Sequence, residues 1–105
     1  MNGNFDPTQG LKNGDQTVDA RGWLTWDPTD QSAEITISVT QNGYTCPAPP
    51  ITCTRDDTQW RVDVTRPAPP WQRGTASGGA TGTVTRKDGT TYPVPEWTAP
   101  SITLG

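Results

Sequence analysis

The sequence has no histidine, only two cysteines, one methionine and one phenylalanine, and no long apolar run. The missing imidazole removes the usual general base, the usual proton shuttle and the commonest metal ligand together. Ser-His-Asp triads are excluded with it. Two thiols and no histidine cannot complete the four-ligand shell of a structural zinc site within one chain. A stretch of about eighteen apolar residues, the minimum for a membrane helix, occurs nowhere. The opening MNGNFDPTQG has no apolar h-region of a signal peptide. Such a start is expected of a mature fragment given an added Met1, or of a chain made in the cytosol and assembled elsewhere. Basic charge is also scarce: 8 Lys and Arg stand against 11 Asp and Glu, for a formal net charge of -3. Phosphate binding requires a basic stripe that releases counterions, so neither nucleic acid nor another polyanion is an expected partner.

What is present points to strands. A chain of 105 residues makes one domain with a single modest core. Its 11 Gly and 11 Pro leave Thr29 to Asn42 and Ile51 to Arg66 as the long uninterrupted stretches, both rich in the poor helix formers Thr, Ile and Val. Only 30% of residues are hydrophobic, but five Trp, a Val/Ile/Thr alternation and an 18% charged fraction favour folding over disorder.

Residues 1–16 are polar apart from Phe5 and Leu11 and read as an extended N-terminal arm ending in the turn Asn13-Gly14. The domain proper is expected over 17–105. In TVDARGWLTW, Val18, Ala20, Gly22, Leu24 and Trp26 share one face, which leaves Trp23 on the wet one. Ala33, Ile35, Ile37 and Val39 alternate cleanly, and Asn42-Gly43 then signals a type I′ hairpin returning through Tyr44 to Cys46. Trp60, Val62 and Val64 alternate inward before Arg66-Pro-Ala-Pro-Pro-Trp71 forms a stiff connection. From Thr75 to Arg86 the even positions Ala76, Gly78, Ala80, Gly82 and Val84 are small, and Trp60 and Trp26 are expected to fill the space opposite. Lys87-Asp88-Gly89-Thr90 is a second hairpin signal, Pro93 and Pro95 mark an edge, and Ile102 and Leu104 close a last short strand. The sum is an all-β chain of about seven strands, expected as a two-sheet antiparallel β-sandwich.

Cys46 and Cys53 flank Pro-Ala-Pro-Pro-Ile-Thr, six residues that do not match the Cys-x-x-Cys redox spacing. A disulfide staple is the expectation, with reduced unreactive thiols as the alternative. A bridge closing about eight residues would remove roughly 2.5 kcal/mol of unfolded-chain entropy, and it would tilt the location towards an oxidising compartment.

Gly74 to Gly82 matches neither phosphate-binding glycine motif, and Lys12 and Lys87 are not placed to reach a phosphate. A glycosidase needs two carboxylates, and Asp27, Asp30, Glu34, Asp56, Asp57, Asp63, Asp88 and Glu96 are the candidates; most sit at turns, where they cap the backbone. Asp27-Pro-Thr-Asp30 and Asp56-Asp57 offer short-spaced oxygens suited to a weak Ca²⁺ site, with turn capping the alternative. No cofactor is expected. Trp23, Trp71 and Trp97 are the indoles least easily buried, and exposed they would contact a protein partner or stack on sugar rings.

The run WLTWDPTDQSAEITISVTQNG, then TQWRVDVT, then ATGTVTRKDGTTY resembles immunoglobulin-like or fibronectin-type sandwich modules of bacterial secreted proteins and phage virions. In antibody-type domains the cysteines flank the tryptophan, whereas here both precede Trp60. The resemblance implies a non-enzymatic interaction or structural module, extracellular, on a cell surface or in a virion. It transfers no functional residue. The expected partners are a protein or a second copy of the chain, with polysaccharide as the alternative ligand and no membrane insertion.

Overall fold

The computed structural model describes residues 1–67, 69–95 and 97–105. They form an all-β structure of ten strands: β1 Asn2–Phe5, β2 Thr8–Lys12, β3 Thr17–Thr25, β4 Asp30–Gln41, β5 Tyr44–Pro47, β6 Ile51–Thr54, β7 Gln59–Thr65, β8 Gly74–Arg86, β9 Thr91–Pro93 and β10 Trp97–Leu104. The strands belong to one continuous sheet folded over on itself without closing. β7 pairs with one side of β3, and β1 and β2 share its other side. β2 then joins β10 in a parallel pairing, and β10, β8 and β4 follow in antiparallel order. β5 and β6 share the outer side of β4, and β9 pairs with β8 beyond the stretch that β10 occupies.

Where side chains alternate in the sequence, the strands alternate in space. Ala33, Ile35, Ile37 and Val39 of β4 are buried, as are Val18, Ala20, Gly22 and Leu24 of β3 and Trp60 and Val64 of β7. Asn42 and Gly43 both take positive φ, 52° and 77°, the conformation a type I′ hairpin requires. The expected count of about seven antiparallel strands is corrected to ten with one parallel pair. The three additional strands, β1, β2 and β6, lie in segments without two-residue periodicity.

Two of the three overturn specific expectations. Residues 1–16 are not an arm apart from the domain: β1 pairs with the Gly22–Thr25 end of β3 and β2 with its Thr17–Asp19 end. Pro7 interrupts the run between them, and the buried side chain of Gln9 fills the gap in the ladder. Its Oε1 accepts from Arg21 N–H (2.8 Å) and its Nε2 donates to Arg21 C=O (3.1 Å), so a side-chain amide does the work of a backbone one. The disulfide is the second correction, because Cys46 and Cys53 are free. The expectation treated 46–53 as a loop closed on itself, but the segment runs extended along β4. Cys46 lies opposite Val39 and Cys53 opposite Ala33. Six residues of strand separate those partners, about 20 Å, whereas a bridge needs Cα atoms about 4.4–6.8 Å apart. A one-residue shift of register between β5 and β6 turns both thiols to the core despite their odd spacing.

The space facing the small residues of β8 is filled, though not by Trp26. The Phe5 ring rests on Gly78, where a Cβ would come within 2.7 Å of it. Phe5 meets Trp60 edge to face at 5.0 Å between centroids, and Trp60 in turn covers Gly22. Trp26 is only half-buried, its Nε1 donating to Asp57 C=O (2.7 Å), because β3 ends at Thr25 before the indole reaches the core.

Two outcomes follow for stability. A Cβ at Gly22 would meet Asn4 C=O and the Trp60 ring, whereas Gly79 has open space beside it. Gly22→Ala therefore destabilises by about 3 kcal/mol or more, and Gly79→Ala stays within about 0.5 kcal/mol of the parent, read by urea denaturation. The second concerns the thiols, both of which burial pushes to higher pKa. Ellman's reagent should leave the native protein unlabelled and titrate two thiols in denaturant; prompt reaction of either thiol in the native protein would contradict the placement.

Candidate functional site

Two of the three candidate contact indoles are buried. Trp71 is 2% exposed and Trp97 6% exposed, so neither presents a face to a partner. The Pro-rich connection carries Trp71 back under the sheet, where its Nε1 donates to Val64 C=O (3.2 Å). Trp97 opens β10 opposite Ala80 of β8 and stacks on Gly3 of β1. Sequence neighbours suggested exposure in both cases, and long-range pairing decided otherwise.

Trp23 remains on the surface, 43% exposed. β3 holds it between Asn4 of β1 and Gln59 of β7, its register partners on either side. Arg21, two residues earlier on the same face, lies opposite Arg61. Trp23, Arg21, Gln59 and Arg61, with Asp6, line an open groove of about 400 Å³ whose floor is Gly22 and Trp60. Arg61 is fixed by a two-point ion pair with Asp19, Nε to Oδ1 at 2.7 Å and Nη2 to Oδ2 at 2.5 Å. The hydrogen bond from Arg61 holds the Asp19 carboxyl below its ordinary pKa. Arg21 has no ion-pair partner among the described residues. The groove thus presents one flat apolar ring rimmed by amide, guanidinium and carboxylate groups.

The carboxylates proposed for calcium are engaged elsewhere. Asp30 is 0% exposed. Its Oδ2 pairs with the Met1 ammonium (2.8 Å) and accepts from Asp27 N–H (3.0 Å), while its Oδ1 accepts from the Tyr92 hydroxyl (2.7 Å). The Asp27 carboxylate points to solvent, 3.7 Å from the same ammonium. Asp57 caps Thr54 N–H (2.8 Å), Asp56 is exposed, and Asp88 caps Thr90. Asp63 pairs with Lys12 (2.8 Å). Glu34 is exposed and Glu96 lies outside the described residues. Among the described residues no three His, Cys, Asp or Glu side chains are grouped to hold a metal ion.

Sequence reasoning placed Trp23 on the wet face but missed the residues around it. Asn4 and Gln59 reach Trp23 only through cross-strand register, and β1 carries no period that would have announced it. Comparisons with protein-family models, with curated proteins and with solved structures give no match.

The buried polar cluster at Asp30 yields a pH profile. Burial pushes the Asp30 carboxyl up, but hydrogen bonds from the terminal ammonium, Tyr92 and Asp27 outweigh it and leave the pKa below the ordinary 3.8. Its stabilisation is present above that ordinary value and is lost as pH falls through the lowered one. Burial and the hydrogen bond to Asp30 push Tyr92 from 10.0 up to about 12. The folded state then holds the phenolic proton more tightly, so stability falls as pH rises from 10.0 towards about 12. Urea melts across pH should show both limbs. Tyr92→Phe should flatten the alkaline one by on the order of 2 kcal/mol, and an unchanged alkaline limb would remove Tyr92 as its source.

Proposed function

We propose that this chain is a non-enzymatic recognition module that binds carbohydrate on Trp23. The kinship with immunoglobulin-like or fibronectin-type modules, and a place on a cell surface or virion, belong to the same proposal. The carrying observation is the exposed indole at the centre of the groove, the one large apolar ring that β3 turns outward. A pyranose presents an apolar C–H face and a rim of hydroxyls. An exposed indole matches the first and the surrounding Gln59, Arg21, Arg61 and Asp6 match the second. A groove of about 400 Å³ suits one or two rings of a glycan.

A protein partner was the first expectation, and burial of Trp71 and Trp97 weakens it. A stable protein interface buries roughly 800 Å² per partner around a desolvated apolar centre. The remaining exposed large hydrophobics are Trp23 and Tyr44, and they lie at opposite ends of the sheet. Trp23 pairs with the start of β7, whereas Arg66, just beyond its end, covers Tyr44. The length of β7 between them is about 23 Å. Two separated rings suit small ligands better than one broad surface. The free thiols also withdraw the disulfide argument for an oxidising compartment.

Intrinsic fluorescence titrated with a panel of soluble oligosaccharides, together with pull-down on insoluble polysaccharides, tests the assignment. A binding glycan should shift the emission of Trp23, and Trp23→Ala should weaken binding at least tenfold, about 1.4 kcal/mol, while leaving the melting temperature unchanged. No shift and no pull-down across the panel would overturn the carbohydrate reading.

A further inference from the structure

Arg66 follows the last residue of β7, its backbone N–H donating to Gln16 C=O (2.8 Å). The residue is 5% exposed. Among the described residues no carboxylate stands within ion-pairing distance of its guanidinium. Nε is shut away from solvent without a hydrogen-bond partner among the described residues. The other arginines are either exposed or engaged: Arg61 on Asp19, Arg55 on the carbonyls of Pro28 and Asp30, Arg73 on Asp15, Arg86 on Thr90, while Arg21 lies in open solvent.

Aromatic rings hold this cation in place. Its central carbon lies 4.6 Å from the centroid of Tyr44 and 5.2 Å from that of Trp71. Trp71 is fixed by its indole bond to Val64 and by its own N–H on Asp15 C=O (2.7 Å). Tyr44 is 42% exposed and forms the open side. Ring faces attract a cation, but they offer nothing to in-plane N–H donors. A buried guanidinium normally receives a carboxylate, and when it does not the desolvation is left uncompensated. Among the described residues this one has no carboxylate partner, and the ring beside it, Tyr44, is partly open to solvent.

We propose that the Nη edge of Arg66 is a receptor for a carboxylate group supplied by a ligand or partner, bound end-on by two parallel N–H···O bonds. The planar anion is favoured because the planar fork of a guanidinium matches it two oxygens to two nitrogens. The site lies at the far end of β7 from Trp23 and does not depend on the carbohydrate reading.

Sodium acetate is the probe, titrated into ¹⁵N-labelled protein at constant ionic strength with the arginine Nε–Hε resonances observed. The Arg66 resonance should shift saturably while those of Arg21 and Arg61 stay still, and the melting temperature should rise with acetate. Arg66→Lys keeps the charge without the fork and should weaken the acetate effect at least tenfold. Arg66→Met should abolish it and, without acetate, melt at or above the parent, since an uncompensated charge is replaced by an apolar side chain. A linear shift shared by all arginines would overturn the proposal. So would a lower melting temperature for Arg66→Met with no acetate response in the parent, which would make Arg66 a brace between two rings. Saturation by sulfate or phosphate but not acetate would overturn the carboxylate assignment.

Discussion

The edge-to-face contact of Phe5 with Trp60 is the constraint on which the rest of the structure depends. These rings stand between Gly22 on one fold of the sheet and Gly78 on the other, and neither glycine has room for a Cβ. Separation of the two folds is thereby set by the thickness of two aromatic rings resting on bare backbone. The Trp60 indole N–H reaches past Gly22 to donate to Asn4 C=O (3.0 Å), which fastens β7 to β1 across β3. Met1 and Phe5 are therefore part of the core, and without Phe5 the small side chains of β8 would face a void. Burying two such rings contributes on the order of 4 kcal/mol from area alone, a large share of the stability of a domain this small.

A chain with 11 Pro and 11 Gly interrupts its own ladders often, and side chains repair the interruptions. Gln9 stands in for backbone where Pro7 separates β1 from β2. Gln41 does the same beside the Pro-rich connection, accepting from Gln72 N–H (2.8 Å) and donating to Gln72 C=O (2.8 Å). Along the free edge of β7 the Cys46 thiol takes the carbonyl of Thr65 (3.0 Å), and the Trp71 indole donates to Val64 C=O. Capping of this kind satisfies buried carbonyls and also denies the edge to another strand. Cys46, which read as half of a disulfide, is here consumed by edge protection.

Legibility in the sequence followed periodicity. β3, β4, β7 and β8 announced themselves because one face of each is buried, so apolar or small residues recur every second position. β1, β2 and β6 are four or five residues long and hold positions set by partners distant in sequence. The cysteine spacing misled because an unseen bulge restored both thiols to one face, and the Pro-rich run between them suggested a loop where the chain is extended. Trp97 escaped for a related reason. An irregularity between Ala99 and Ile102 shifts the parity of β10, so Trp97 and the buried pair Ile102 and Leu104 do not share an alternation. Arg66 read as the start of the stiff connection to Trp71, and nothing local showed that Tyr44 and Trp71 would converge on it.

The two outer faces of the sheet differ in a way that bears on recognition. On β4 and β8 the outward positions include Thr36, Ser38, Thr40, Ser77 and Thr81, an uncharged hydroxyl surface around a shallow depression of about 270 Å³. Hydroxyls of this kind are equally content with water, and no ring or charge stands among them to favour a ligand over solvent. The β3 and β7 face instead carries Trp23 in a row of charged residues, while Arg66 follows β7 on the inward parity of Trp60 and Val64. An exposed indole and an uncompensated buried guanidinium are each choices that folding alone would not favour. Sequences follow local rules through most of a structure and depart from them where a partner supplies the missing contact. One departure lies on β3 beside the start of β7 and the other just beyond the end of β7, and what they offer a ligand is a ring and a guanidinium rather than backbone to extend.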